Sequence, residues 1–527
     1  MPSVFGVRLR RIRRATRALS VIVVLAVGGY GAWALVSDLG IVDDVHDPVA
    51  EHGDQNLLCE LVQDGETHEA FETAFETGDE LFEDEFNALD GVGANVGRGQ
   101  RFTRVPRADL TGPGEWKHHV PARATGPNGS SCTSCHSKPF DDGAGDVNSD
   151  VHRDPFHTGN LASMIHRNTP HIFGLGALQR LAEEMTAELK GIVAGAEAAA
   201  CASGGPVTVA LRSKGVSFGS VTVRRTSTDP CVTSVDTTDV SGVSADLVVR
   251  PFQWKGSVAT IRDFVRGAFH NELGMQAVEM CGDGVDGDYD GVVDELTIGD
   301  ITSVAVYAAA QPRPVSKLEL HQLGLEPMAG ADRDTVRRGG RLFLQVGCAV
   351  CHVPTMTLDD PVFREPSAMA EFRDATFPAG QDPLALCVDP AKPVSFDLTQ
   401  DQPDNVVTDD EGTVVKRLGS LMVGADGKAR VRLFGDLKRH DMGPGLAESI
   451  DETGSGASVF LTENLWGVAS TAPYLHDGRA STLTEAILEH GGEAAAARAA
   501  FVGLETAEKK DLVAFLESLV LFRLPEE

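Results

Sequence analysis

Two five-residue runs, Cys132-Thr133-Ser134-Cys135-His136 and Cys348-Ala349-Val350-Cys351-His352, are the residues of this chain best suited to chemistry. Two cysteines three apart, with a histidine directly after the second, form the attachment sequence of a c-type haem. The thiols add to the two porphyrin vinyl groups, and the histidine becomes the proximal iron ligand. A redox dithiol or half a zinc site has no need of that histidine, and no further CxxC pair is present to complete a zinc site. Two copies therefore specify two covalent haems: haem 1 on Cys132, Cys135 and His136, and haem 2 on Cys348, Cys351 and His352. His152, His157, His166 and His171 follow the first run and compete for the sixth position of its iron. The sequence does not say which of them, if any, takes it.

A second chemical pattern is Asp286-Gly287-Asp288-Tyr289-Asp290-Gly291, followed by Asp294 and Glu295. Alternate carboxylates around a glycine turn are the pattern of a Ca²⁺ loop. The twelfth position is Thr297 instead of a bidentate Glu, so Asp294 or Glu295 would have to substitute. The competing reading is a solvated acidic turn. Of the nine cysteines, five lie outside the haem runs. Cys201 and Cys231 flank strand-like runs and are expected to pair, while the partners of Cys59, Cys281 and Cys387 stay open.

The elements that must position these groups are mostly helical by their spacing. Apolar residues recur at helical intervals over about 68–86, 177–194, 258–275, 334–346 and 507–521. Val336, Gly340 and Phe343 share a face of the fourth segment, and Gly340 is expected to admit the last helix closely. Residues 201–249 read as a β-rich insertion, 413–434 as a hairpin, and 91–129 and 359–411 as loop. Asp plus Glu (77) outnumber Lys plus Arg (46), a net charge of −31 that excludes nucleic acid as a partner. Six arginines between Arg8 and Arg17 precede an apolar run, Ala18 to Val36, so residues 1–37 are expected to be a signal peptide or membrane anchor. Covalent haem attachment outside the bacterial cytoplasm agrees with that, giving a periplasmic protein with a membrane tether through 18–36 as one option. The expected domains are an acidic linker and N-terminal extension (38–129), a haem 1 domain (130–330) and a haem 2 domain (331–527).

Ala472-Pro473-Tyr474-Leu475-His476-Asp477-Gly478, then Thr482-Leu483-Thr484-Glu485-Ala486, resembles the C-terminal signature of bacterial di-haem cytochrome c peroxidases. It also resembles that of the di-haem enzyme maturing the tryptophylquinone of methylamine dehydrogenase. The closer similarity is to the di-haem oxidoreductases, also called thiol oxidoreductases. It is carried by Arg167–Leu178, Phe252–Met275, His440-Asp441-Met442-Gly443 and His490-Gly491-Gly492-Glu493-Ala494, and it spans roughly residues 70–520. The resemblance implies a mainly α fold: two cytochrome-c-like helical haem domains with long loops and a small β-rich insertion. It implies His490 as the second axial ligand of haem 2, where the peroxidases have Met; bis-His ligation lowers the potential relative to His/Met. It places Trp254 between the haems as an electron or hole carrier, and His476 and Arg479 at haem propionates. The peroxidases have a Glu directly before the residue matching Met275, but here that residue is Gly274. Glu272 is then the expected distal acid/base, with His270 behind it. The peroxidases' removable distal histidine aligns near Asn160, so haem 1 is expected to be open.

These readings converge on a periplasmic di-haem c-type oxidoreductase, peroxidase-like, reducing peroxide or O₂ at haem 1 with electrons passed through haem 2. Its electron donor is expected to be a small protein such as a cytochrome c or a cupredoxin. A di-haem oxygenase, a protein-modifying oxidase and a plain electron-transfer cytochrome remain as alternatives.

Overall fold

The structure, a computed structural model, describes residues 49–524 except 113, 374–376, 379 and 410–412. Five helices build the first core: α1 (Gln55–Asp64), α2 (Thr67–Glu83), α3 (Leu175–Ser203), α4 (Ile261–Ala268) and α5 (Ile298–Ala310). α1 begins at Asp54, whose carboxylate accepts the Asn56 and Leu57 amides at 2.9 and 3.2 Å, and ends at Gly65 with φ +85°. α2 buries Phe71, Ala74, Phe75, Leu81 and Phe82 on one face. That face packs on α5, which is mostly apolar and buried along its whole length. Gly78 permits the contact, because a Cβ there would lie 2.2 Å from the Ser303 carbonyl. Thr297 starts α5 through a capping box with Asp300, so it is committed to the helix and not to the acidic loop before it.

Between α2 and α3 lies a two-stranded ribbon, β1 (Val151–Arg153) with β2 (Ile165–Arg167), pairing Val151 with Arg167 and Arg153 with Ile165. After α3 comes the insertion, an antiparallel meander of β3 (Val207–Ser213), β4 (Val216–Thr228) and β5 (Cys231–Asp236). Cys201 and Cys231 are joined there, with Cα atoms 6.0 Å apart. A second disulfide, Cys59 to Cys387, leaves Cys281 as the one free cysteine outside the haem runs among the described residues.

A second core surrounds the second CxxCH run. Here α6 (Gly330–Gln345) crosses α8 (Thr506–Leu516), with α7 (Leu483–Glu489) alongside, burying Phe343, Leu483, Phe501, Leu512 and Leu516. The close approach falls at Gly339, one residue before the glycine expected from the sequence. A Cβ on Gly339 would sit 1.9 Å from the Asp511 carbonyl, whereas one on Gly340 would meet only the Phe515 ring at 3.4 Å. Between the two cores run β6 (Arg439–Asp441) and β7 (Val459–Leu461), paired His440 to Phe460.

The expectation of a mainly α fold is corrected. Helix makes up 34% and strand 16%, in several small sheets, and the architecture is mixed α/β rather than two cytochrome-c-like helical domains. Much of the difference lies between residues 356 and 461, where strands of two to four residues pair as short ribbons. Met356, Leu358, Phe363, Val394, Phe396 and Val431 from this stretch join the first core. Strands that short leave too few alternations to register as a period. No helix among the described residues is long and apolar enough to cross a membrane, and the expected N-terminal segment lies outside them.

Candidate functional site

The first CxxCH run forms a short 3₁₀ turn, Cys132–Ser134, started by the Ser131 hydroxyl, which accepts the Ser134 amide at 3.1 Å. His136 Nδ1 donates to the Gly143 carbonyl at 3.0 Å, and the ring lies 5.8 Å from that of Phe82 on α2. Burial lowers its pKa to about 4, so the imidazole is neutral at pH 7. A cavity opens here, lined by Cys132, Cys135, His136, Arg153, Trp254 and Glu272 among others. Among the described residues lining it, His136 is the one histidine, and no methionine is present.

The β1–β2 ribbon explains why the competing histidines are absent. Alternate residues of a strand point to opposite faces. Val151, Arg153 and Arg167 line the cavity, while His152 and His166 pack against each other, their tilted rings 4.1 Å apart, and do not. His171 has both ring nitrogens engaged, donating from Nε2 to the Trp466 carbonyl (2.7 Å) and accepting the Phe173 amide at Nδ1 (3.1 Å). His157 lies outside the lining, with Nδ1 3.8 Å from Glu115.

Glu272 enters from a π-helical turn, Phe269–Leu273, that follows α4. Its backbone carbonyl accepts the Asn128 and Gly129 amides, and its buried Oε2 has no hydrogen-bond partner. Burial raises its pKa to about 7, with Arg153 and Arg123 pulling the other way. His270 is buried but lies outside the cavity lining, its carbonyl taken by Arg123.

The second and larger cavity holds Cys348, Cys351, His352, His440, His476 and His490 in its lining. His352 donates from Nδ1 to the Phe434 carbonyl (3.1 Å), and His490 from Nδ1 to that of Ala486 (2.7 Å). Metal-binding histidines characteristically donate their other N–H in this way. The two ring centroids are 6.4 Å apart. An iron about 2 Å from each Nε2, with each ring centre about 1.1 Å further on, calls for about 6 Å. The pair fits a bis-histidine iron. His440 bridges the loops carrying these two residues, with Nε2 2.8 Å from Asp436 and Nδ1 2.8 Å from Glu493. Burial opposes its charge, but hydrogen bonds to Asp436, Cys351 and Glu493 prevail and raise its pKa to about 11.

Asn168, Thr169, Pro170 and Trp254 line both cavities. Trp254 donates from Nε1 to the Asn168 carbonyl (2.9 Å), and Asn168 in turn holds the Pro473 and His476 carbonyls at 2.7 and 2.8 Å. Beside this wall a buried charge cluster joins Arg167 and Lys255 to Glu448, with His476 stacked on Phe460 at 4.3 Å. His476 lines the second cavity. Arg479 lines neither; its guanidinium goes to Asp477 and the Gly445 carbonyl. The cationic side chains facing the first cavity are Arg153, Arg167 and Lys255, which sequence reasoning missed. The only sequence signal was the Arg167-Asn168-Thr169-Pro170 run itself, and it said nothing of a charge role.

Of the acidic loop, Asp286, Asp288 and Asp290 bring carboxylate oxygens within 4.8 Å of one another. Asp288 is fully buried and neither of its oxygens has a hydrogen-bond partner. Asp294 turns away to accept the Gly284 amide, and Glu295 accepts that of Gln276.

Residues 399–519 match the family described as "Di-haem oxidoreductase, putative peroxidase". Among solved structures, the chain is similar to a MauG-like protein associated with microbial copper homeostasis. The identity is 16% and the TM-score 0.24, over 50% of this chain and 68% of that one. No curated protein matches.

Proposed function

We propose that this chain, whose residues 399–519 match a di-haem oxidoreductase family, is a di-haem peroxidase, taking peroxide at the His136 site and electrons from the His352/His490 site. The observation that carries this is the asymmetry of the two cavities. One offers a single histidine and a buried acid, the other two opposed histidines with both Nδ1 atoms satisfied. Cys132, Cys135 and His136 would hold one haem, and Cys348, Cys351, His352 and His490 the other.

The reaction joins hydrogen peroxide with two electrons and two protons to give two waters. The haem group on His136 supplies, when bound, the redox chemistry that breaks the O–O bond. Glu272 supplies a proton to the leaving oxygen, since burial keeps it half protonated near pH 7. The apolar wall made by Phe82, Ile172, Leu175 and Phe269 keeps bulk water from that acid. Trp254, on the wall common to both cavities, is the aromatic group that conducts electrons between them, and its hydrogen bond to Asn168 fixes the indole in place. Arg153, Arg167 and Lys255 supply the positive charge for haem propionates, in place of the expected Arg479.

The wider assignment is a periplasmic enzyme with Ca²⁺ on Asp286, Asp288 and Asp290, fed by a small cytochrome c or cupredoxin. Low-temperature EPR of the oxidised, haem-loaded protein tests the central claim. One high-spin and one low-spin ferric signal are expected; two low-spin signals, with the haem that stays ferric after one-electron reduction still low-spin, would make the protein an electron carrier instead.

A further inference from the structure

Tyr307, on the inner face of α5, is one of four tyrosines in the chain and is 1% exposed. Its hydroxyl donates to Asp142, with the two carboxylate oxygens at 2.9 and 3.0 Å. Asp142 is itself fully buried and also carries an ion pair with Arg523. A buried tyrosine needs some hydrogen-bond partner, and a backbone carbonyl would serve. Burying a carboxylate to provide one, and bringing a half-buried guanidinium to that carboxylate, is the costlier arrangement.

The surroundings of the pair connect it to the first cavity. Gly143, directly after Asp142, is the residue whose carbonyl fixes His136. The Tyr307 ring lies 5.5 Å from Phe82, and Phe82 lies 5.8 Å from His136. Val304 and Ala308, on either side of Tyr307 along α5, line the cavity. A phenol hydrogen-bonded to a carboxylate in a dry core can lose its electron as its proton crosses to that carboxylate, without creating a buried, uncompensated cation.

We propose that Tyr307 is a redox site, oxidised in one-electron steps with Asp142 as proton acceptor. The proposal rests on the peroxidase reading, because its oxidant is the oxidising equivalent that hydrogen peroxide leaves at the His136 site. In the step, Tyr307 gives one electron to that site and its phenolic proton to Asp142, leaving a neutral phenoxyl and a carboxylic acid. An electron arriving from the His352/His490 site then reduces the phenoxyl, and the proton goes back from Asp142 to the phenolate oxygen. Burial raises the Asp142 pKa to about 7 and Arg523 pulls against it, so the ionised form that accepts the proton is present at and above pH 7.

The test is freeze-quench EPR of the haem-loaded protein mixed with one equivalent of hydrogen peroxide, with optical absorption followed in parallel. The expected result is a tyrosyl signal that narrows with ring-deuterated tyrosine and is lost in Tyr307→Phe, while the variant's haem absorption still responds to peroxide. In Asp142→Asn the signal is expected to fail to accumulate, because the amide cannot take the proton. A tyrosyl signal that persists in Tyr307→Phe overturns the assignment, as does its absence from wild-type protein whose haem absorption has shifted. If peroxide leaves that absorption unchanged, the peroxidase reading falls and this proposal falls with it.

Discussion

Replacing Glu272 by Gln keeps the shape of the side chain and removes its titration, so the variant separates proton supply from packing. The folded carboxyl holds its proton up to about pH 7 instead of 4.5, because burial penalises the anion. That shift is worth at most about 3 kcal/mol, because Glu272 is half-buried in the cavity wall and solvent screening discounts it. Since the folded state binds this proton more tightly than the unfolded chain, the stabilisation is complete below pH 4.5 and is lost as pH rises through about 7. Denaturant unfolding at pH 4 and pH 8 should show wild type losing up to about 3 kcal/mol relative to Glu272→Gln across that interval. The same titration should appear in catalysis. Wild-type kcat/KM for peroxide should fall about tenfold per pH unit above about 7, and the variant should be about 10²–10⁴-fold slower with no inflection there. A variant that keeps both the wild-type rate and the inflection near pH 7 would refute the assignment of Glu272 as the acid.

Replacing His490 by Ala should convert the low-spin ferric signal of the second haem to high-spin and let the ferrous form bind carbon monoxide. Retention of the low-spin signal would show that another side chain, not His490, opposes His352. Gly339→Ala puts a methyl against the Asp511 carbonyl where α6 and α8 cross, and overpacking of that kind costs about 1–3 kcal/mol, measurable by denaturant unfolding. The same change at Gly340, which meets only the edge of Phe515, should cost less than that at Gly339; equal losses would mean the crossing is not where the helices touch.

What could be read from the sequence was the chemistry written in contiguous residues, and what could not was the chemistry assembled by pairing. The two CxxCH runs, the helix that became α2 and the meander at 207–236 all announce themselves within one local window, because attachment motifs, helical faces and strand alternation are local. The ribbon of β1 and β2 is three residues long on each side, and nothing in its sequence shows that Val151 pairs with Arg167. Yet that register turns Arg153 and Arg167 into the first cavity and His152 and His166 out of it, undoing an apparent surplus of iron ligands. His171 is ruled out differently, by hydrogen bonds at both ring nitrogens that come from Trp466 and Phe173. His490 carries the opposite sign: one nitrogen is held by Ala486, and its ring faces that of His352 at a spacing that an iron fits. Sixteen histidines stand in the chain, all equally able to bind iron as residue types. The ones suited to do so are set apart by the partner of the other ring nitrogen, which is a tertiary fact and lies outside any motif.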